Sequence, residues 1–229
     1  MMKNTDADHT AALWFALLLT LANGSIDAYT YLARGGVFAN VQTANVILFA
    51  IDASEGKTSA ALAHVWPLLA FVAGMLLASH IRTGRAERHV RRPLLWTMAV
   101  QSSALAVIGL VPVSAPHNYV TIPISFLAAM QMGLFRRVGD LAYLPVATTG
   151  NLMRFMEAAY DGFVDRQPAQ RRAAGVYGAL IAAFVTGALI GALATDRWSA
   201  RAIWIAAGLL AVTVVVFALD QRRRTHPGS

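Results

Sequence analysis

The sequence contains no cysteine and few charged residues. Without Cys, the chain can form no disulfide, no thiolate nucleophile and no Cys-ligated metal site. Charged residues make up 14% of its 229 positions, whereas an ordinary soluble domain has about 25%. Hydrophobic residues make up 57%, and the mean hydropathy is +0.52. This composition excludes an ordinary soluble domain and is typical of a polytopic membrane protein.

The sequence also lacks the short motifs that identify many enzymes and cofactor sites. It has no Gly-x-Ser-x-Gly, no P-loop and no His-Glu-x-x-His string, and its six histidines are scattered without ligand spacing. We therefore predict no enzyme activity, no cofactor and no metal site. The net charge of +7 comes from basic residues between apolar runs, which is the topological bias of membrane proteins rather than a nucleic-acid surface.

Apolar segments follow one another along the whole chain. Six are about 20 residues long, enough to cross a hydrocarbon core of about 30 Å, and lie at about 11–32, 59–81, 93–113, 117–135, 173–194 and 202–219. Two shorter segments lie at about 37–52 and 141–157. The sequence therefore predicts an all-α, polytopic helical membrane protein in which residues 1–229 form a single integral membrane domain.

Parts of the first half of the chain return in the second half in the same order. The matches are Ala70–Gly74 with Ala183–Gly187, Leu95-Trp96 with Ile203-Trp204, and Thr43 and Asn45 with Thr149 and Asn151, at offsets of 113, 108 and 106. Similar offsets in three separate places predict two repeats, about 11–113 and 117–220. Each repeat has a long span, a short segment and two further long spans.

The positions of the arginines indicate whether the short segments cross the membrane. Cytoplasmic loops carry an excess of Lys and Arg, so the basic stretch 82–92 lies inside. Six crossings also leave the 161–172 loop and the basic tail, 221–229, inside, whereas eight would put both outside. We therefore predict six transmembrane helices, both termini in the cytoplasm, and two re-entrant half-helices. The two repeats are then inverted relative to each other.

Each short segment begins with a Thr-small-Asn signal, at Thr43 and Asn45 in the first repeat and at Thr149 and Asn151 in the second. Threonine is a good N-cap residue, and a helix start has unpaired N–H groups and a partial positive charge. Two such starts meeting near the membrane midplane would bind an anion or a hydrogen-bonding solute. The alternative is that the four residues only cap the short helices and attach them to the bundle.

Asp27 is an acid placed well inside a long span, and Gln131 occupies the corresponding zone of the second repeat. An intramembrane carboxylate is costly and faces a cavity or a partner, which predicts a proton- or cation-linked group. Alternatively, Asp27 pairs with Arg34, and Gln131 bonds to a neighbouring helix. The candidate substrate- or ion-binding residues are thus Asp27, Thr43, Asn45, Gln131, Thr149 and Asn151.

Several of these stretches together resemble the YoaK family of small bacterial inner-membrane proteins. The resemblance rests on residues 24–32, 34–40, 42–45, 130–132, 136–137 and 149–151. The chain departs from the family pattern at Ala44, where the family has Gly, and at Met132 and Gly133, where it has Asn and Ala. The resemblance implies an inner-membrane location and a helical architecture, and it implies no activity.

The function that the sequence favours is transport of a small solute or ion by a permease. In this hypothesis the two half-helix starts bind the solute, and Asp27 couples or gates its movement. The alternative is a non-transporting scaffold or partner subunit that presents its basic cytoplasmic face. The expected partners are the lipid bilayer and a small solute or anion. No nucleic acid is expected, and homo-oligomerisation stays open.

Overall fold

The computed structural model describes residues 12–83 and 93–225, and these ranges are all-α apart from one small hairpin. Each predicted apolar segment forms a helix, so the all-α part of the predicted fold class is confirmed. The helices are α1 (Leu13–Ala33), α2 (Gln42–Ser54), α3 (Thr58–Arg82), α4 (Pro93–Ile108), α5 (Asn118–Leu134), α6 (Thr148–Phe163), α7 (Pro168–Trp198) and α8 (Ile203–Thr225). The predictions for the basic stretch and for both termini concern residues that lie wholly or partly outside the described ranges.

Proline and glycine set several helix boundaries. Pro168 occupies the first position of α7, where its missing N–H costs no hydrogen bond.

Between α5 and α6, β1 (Arg137–Val138) pairs antiparallel with β2 (Leu141–Ala142) around Gly139, whose φ is 56°. This hairpin was not predicted, because two-residue strands are too short to produce an alternating pattern.

Two stretches of the described chain are long and apolar enough to cross a membrane. One is α3, and the other is Pro168–Leu219, in which α7 continues through a 3-10 turn (η1, Ser199–Ala202) into α8. The stretch Leu94–Ile108 of α4 is apolar but shorter. These stretches indicate a membrane-associated protein.

The long helices pack mainly across the two halves of the sequence. α1 packs along α7, α3 packs along α5, and α4 packs along α8. Each short helix packs instead on the long helix that follows it, α2 on α3 and α6 on α7. The backbones of α1 and α5 hardly approach each other, and side chains fill the space between them. This space is the middle of the molecule.

Side-chain contacts show that α1 and α5 are antiparallel. The Phe15 ring near the start of α1 lies 5.2 Å, centroid to centroid, from the ring of Phe135, which follows the end of α5. At the other end, Gly35 lies against the side chain of His117, which precedes α5. α1 and α5 therefore run in opposite directions.

The last helices of the two halves, α4 and α8, are also antiparallel. The Ser102 hydroxyl donates to the carbonyl of Ala207 at 2.9 Å. The indole N–H of Trp204, earlier in α8, donates to the carbonyl of Ala106, later in α4, at 2.9 Å. Ascending positions in one helix thus meet descending positions in the other.

Candidate functional site: a buried polar centre

Four buried amide side chains form a continuous hydrogen-bonded chain through the middle of the protein. We call Asn40, Asn23, Gln131 and Gln101 the amide chain. Asn40 Nδ2 donates to Asn23 Oδ1 at 3.2 Å, and Asn23 Nδ2 donates to Gln131 Oε1 at 2.7 Å. Gln131 Nε2 in turn donates to Gln101 Oε1 at 2.9 Å. None of the four is more than 3% exposed. The amide chain links the loop before α2 to α1, α5 and α4.

The amide chain is also anchored to helix backbones. Asn23 Nδ2 donates to the carbonyl of Leu19 at 2.8 Å. At the other end, Gln101 Nε2 donates to the carbonyl of Leu127 at 3.3 Å. Hydrogen-bonded polar networks in a low-dielectric interior hold their members in one arrangement. The amide chain therefore fixes the rotation of α1, α4 and α5 about their own axes.

The loop between α1 and α2 turns back into the protein. Gly35 and Gly36 have φ angles of 77° and 72°, a backbone conformation that glycine adopts at no steric cost. The N–H of Ala39 then points to the Thr30 hydroxyl at 3.5 Å, and the carbonyl of Ala39 accepts from the Ser125 hydroxyl at 2.7 Å. The loop is thus held between α1 and α5.

This loop reaches the middle of α1. Asn40 Nδ2 donates to the backbone carbonyl of Asn23 at 3.3 Å as well as to its side chain. Asn23 is the central residue of α1 (Leu13–Ala33). It precedes the helix end by ten residues, which is about 15 Å at 1.5 Å per residue. α2 therefore begins at about half the depth of α1.

Asp27 lies one helical turn beyond Asn23 and is 5% exposed. Neither carboxylate oxygen has a hydrogen-bond partner among the described residues. The backbone and side-chain amides of Asn40 lie beside the carboxyl, but neither meets the geometry of a hydrogen bond to it. Within the described ranges, no group of three His, Cys, Asp or Glu side chains could hold a metal ion. Asp27 is therefore a buried carboxyl with unused acceptor capacity.

Arg34 is fully buried but does not pair with Asp27. Its Nε donates to the Tyr29 hydroxyl at 2.8 Å, and the guanidinium lies 5.4 Å from the centroid of that ring. Nη1 and Nη2 donate to the carbonyls of Pro112 at 2.9 Å and Val111 at 2.7 Å. The alternative in which Arg34 neutralises Asp27 is therefore wrong. Arg34 instead ties the end of α1 to the chain that follows α4.

The two short helices begin with the same local contact. Asn45 Nδ2 donates to the carbonyl of Phe38 at 2.6 Å, and Asn151 Nδ2 donates to the carbonyl of Leu144 at 2.8 Å. Each of these carbonyls lies seven residues before its Asn. Asn151 Oδ1 also accepts the N–H of Leu144 at 3.0 Å. Both asparagines are buried, so each fixes the loop that enters its short helix.

The prediction that Thr43 and Thr149 are N-cap residues is wrong. Each short helix begins one residue before its Thr, with Val41 and Ala147 in the N-cap positions and no side-chain capping bond. Both threonines are exposed. The physical reason is that the buried Asn in the fourth helical position bonds to the loop seven residues earlier, which fixes where the chain turns into the helix and leaves an apolar residue at the cap position.

One protein-family model matches a range of the chain that contains nearly all of these features. The model of the family described as "Protein of unknown function (DUF1275)" matches residues 15–216. The chain belongs to the DUF1275 family. No curated protein and no solved structure matches the chain. The matched range contains the amide chain, Asp27, both short helices and the stretches that carry the resemblance to the YoaK family.

We call the amide chain and Asp27 together the polar centre. The DUF1275 chain brings two of the six candidate residues into it. Gln131 belongs to the amide chain, and Asp27 lies beside Asn40. Asn45 and Asn151 are each bonded to the loop of their own half. α2 and α6 are not among the helix pairs that pack together in the described ranges. The exposed Thr43 and Thr149 lie next to these asparagines on the short helices.

Sequence reasoning missed three members of the polar centre of this DUF1275 protein: Asn23, Asn40 and Gln101. Asn23 and Gln101 interrupt apolar runs in α1 and α4, and a polar side chain inside such a run is a signal that could have found both. Asn40 lies in a loop, where asparagine is common. Its role depends on the reversal of the chain at Gly35 and Gly36.

Proposed function

We propose that this DUF1275 protein is a small-solute or ion transporter of the bacterial inner membrane. It crosses the membrane six times, with α1, α3, α4, α5, α7 and α8, and both termini lie in the cytoplasm. Its two halves are inverted repeats around the polar centre. The observation that carries the proposal is the buried, unpaired Asp27 carboxyl beside the amide chain, near the middle of α1.

The directions of equivalent helices support the inverted repeat. α1 and α5 are the first helices of the two halves and run antiparallel. α4 and α8 are the last helices and also run antiparallel. Halves related without inversion would have both pairs parallel. Inversion requires an odd number of crossings in each half, which follows if α2 and α6 do not cross.

Reciprocal close packing supports the same relation. A Cβ atom added to Gly187 in α7 would overlap the backbone carbonyl of Leu21 in α1. Likewise, a Cβ atom added to Gly74 in α3 would overlap the carbonyl of Phe126 in α5. The glycines are 113 residues apart and the carbonyls 105, close to the offsets of the sequence repeat. Glycine allows helices to approach this closely within a membrane.

The depth of the first loop supports a re-entrant segment. If α1 crosses a hydrocarbon core of about 30 Å, a loop that reaches Asn23 lies close to the midplane. α3 runs parallel to α5, since Gly74 meets Phe126 and Ala78 meets Gly133, and is therefore antiparallel to α1. The short turn 55–57 joins α2 to α3, so α2 returns toward the surface from which the loop entered. Irregular backbone is tolerated at this depth when it is buried in protein, as Val37 and Ala39 are.

The surface of α3 supports a position in the membrane. Leu62, Trp66, Leu69, Val72 and Leu76 lie at helical spacing, and each is between 45% and 68% exposed. A continuous apolar stripe of this length needs lipid or a partner to cover it. The amide chain, in contrast, is buried in the middle. Apolar side chains outside and polar side chains inside suit a protein that is surrounded by lipid.

The unpaired state of Asp27 favours a transporter over a scaffold. A charged side chain near the centre of a bilayer costs about 2.5–3.5 kcal/mol on insertion scales, and such acids mark ion, proton or substrate pathways. A scaffold gains nothing from this cost unless the acid is neutralised, and Arg34 has other partners. We therefore assign the binding of the solute or ion to Asp27 and Gln131. Asn45 and Asn151 hold the loops that lead into α2 and α6.

Single cysteines test the six-crossing arrangement, because the natural chain has none. We expect Glu55→Cys and Ser114→Cys to react with a membrane-impermeant maleimide added to intact spheroplasts. Asp140→Cys and Gln167→Cys should react only after the membrane is opened, because both loops face the cytoplasm. All four positions are exposed, so lysed cells provide a positive control. Labelling of Gln167→Cys from outside would contradict the arrangement, since α6 would then cross the membrane.

Replacement of Asp27 by Asn tests transport itself. Small solutes inside and outside cells that produce each variant are compared by mass spectrometry. We expect the wild-type chain to change the distribution of at least one solute, and Asp27→Asn to return it to the level of cells without the protein. The amide keeps the size of the side chain but cannot carry a negative charge.

The matched control for this experiment is Asp140→Asn, the same chemical change at an exposed position of the hairpin. We expect this variant to behave as the wild type. If no solute distribution depends on the wild-type protein, the transporter proposal fails. If Asp27→Asn changes the solute distribution as much as the wild-type chain does, transport stands but the assignment of Asp27 fails.

A further inference from the structure

We propose that Asp27 binds and releases one proton, and that this proton is the coupling ion of the transporter. The coupling role rests on the proposed function. Proton binding itself rests only on the polar centre, so the two can be tested separately.

The polar centre contains a surplus of hydrogen-bond acceptors. Both carboxylate oxygens of Asp27 and Oδ1 of Asn40 are buried without a partner. The hydrogen bonds that the side-chain nitrogens of the amide chain donate go to its own oxygens and to helix carbonyls. A carboxylate can only accept hydrogen bonds, whereas a protonated carboxyl group donates one. A proton on Asp27 therefore supplies a hydrogen-bond donor, which the site lacks.

No cationic side chain in the described ranges faces Asp27. The other titratable groups of α1 are Tyr29 and Tyr31, and Arg34 is held by Tyr29 and two carbonyls. The neighbouring helix stretches 94–108, 120–134, 178–195 and 203–219 contain no Asp, Glu, His, Lys, Arg or Tyr. Beyond them in α7, Asp196 and Arg197 are exposed and Tyr177 donates to the carbonyl of Ala142. His64 of α3 lies 3.3 Å from Asp52. Neutralisation of Asp27 from within this part of the protein must therefore come from a bound proton.

A proton suits the site better than a divalent metal ion. Ca²⁺ and Mg²⁺ take about six or more oxygen ligands. The unpartnered buried oxygens at Asp27 and Asn40 are three, two on the carboxyl and one on the amide. A proton needs a single acceptor and leaves the group neutral, which removes the cost of burying a charge.

Proton release acts on the re-entrant loop through Asn40. A deprotonated Asp27 needs donors, and Asn40 Nδ2 is the side-chain donor beside it. This amide now donates to the two oxygens of Asn23 at 3.2 and 3.3 Å, longer than the typical 2.9–3.0 Å. On proton release Asn40 exchanges these long bonds for bonds to the carboxylate. The loop that leads into α2 then moves relative to α1, which links proton binding to the shape of the polar centre.

Infrared spectroscopy of the purified full-length protein in lipid vesicles tests proton binding without any knowledge of the solute. A protonated buried carboxyl group has a C=O stretching band that is separate from carboxylate bands. We expect one such band near neutral pH that is absent from Asp27→Asn and present in Asp140→Asn. The band should disappear as the pH is raised. Replacing choline with sodium in the buffer at constant pH should leave it unchanged.

Two results would overturn proton binding. One is the absence of an Asp27-dependent band at neutral and mildly acidic pH in a protein that elutes from size exclusion as the wild type does. The other is loss of the band on addition of sodium at constant pH, which would assign the site to sodium instead. An Asp27-dependent band without any solute flux would leave proton binding intact and overturn the transporter proposal. Solute flux without an Asp27-dependent band would leave the transporter proposal intact and overturn proton binding.

Discussion

Leucine in place of Gly187 is expected to prevent stable assembly of the protein. Gly187 lies against the backbone carbonyl of Leu21, where even a Cβ atom would overlap. Backbone in the middle of two packed helices cannot move aside as the tip of a side chain can, so α1 and α7 must separate. Overpacking costs about 1–3 kcal/mol of stability where side chains can adjust. We expect a larger loss of stability for Gly187→Leu, because backbone atoms are in the way. Thermal unfolding in detergent, followed by fluorescence-detected size exclusion, measures the effect.

The matched control is Gly175→Leu in the same helix. A Cβ atom at Gly175 meets nothing within 4 Å, and leucine stabilises the folded form slightly because it leaves the unfolded chain less conformational freedom than glycine does. We expect this variant to unfold at or above the wild-type temperature. Equal stability of the Gly187 and Gly175 variants would contradict the close packing of α1 on α7.

Replacement of Arg34 by Met is expected to destabilise the protein by about 3 kcal/mol or more. The side chain is 0% exposed and donates to the Tyr29 hydroxyl and to the carbonyls of Val111 and Pro112. Met has a similar length but no donor, so the Tyr29 hydroxyl and two partly buried carbonyls lose their partner. A buried group left without a partner costs about 1–3 kcal/mol. The free energy of unfolding, measured against denaturant in mixed micelles, gives the size of the effect.

Two further variants separate hydrogen bonding from charge at this position. Arg34→Lys keeps the charge but lacks the planar fork that reaches three acceptors, so we expect most of the loss to remain. Arg201→Met removes an exposed arginine that lies 5.9 Å from the Trp204 ring centroid, and we expect a change of less than about 1 kcal/mol. Wild-type stability of Arg34→Met would show that the end of α1 is held by other contacts.

The arrangement of helices along the chain could largely be predicted from the sequence. Apolar runs, Pro168 and the glycines after α1 mark helix boundaries because they act through local backbone chemistry. The offsets between the two halves predict which helices correspond, and this stays a prediction. The hairpin around Gly139 escaped prediction because its strands are only two residues long.

The polar centre could be predicted only in part, because it depends on how each helix is rotated about its axis. Asp27 and Gln131 stand out as polar residues in apolar spans, and both are in the centre. The partners of Arg34 depend on a contact between segments about 78 residues apart, and no local pattern indicates it. Thr43 suits a helix cap by type, but the cap site at Val41 is set by the buried Asn45.

The packing of α1 along α7 has a consequence for the order in which the protein is made. Leu21 and Gly187 are in contact, yet 166 residues separate them in the chain. At a synthesis rate of about 5–20 residues per second, the ribosome needs about 8–33 seconds to reach the second partner after the first. During that interval α1 carries Asn23 and Asp27 without the helices that bury them. α1 is therefore synthesised early but is among the last of the described helices to reach its final surroundings.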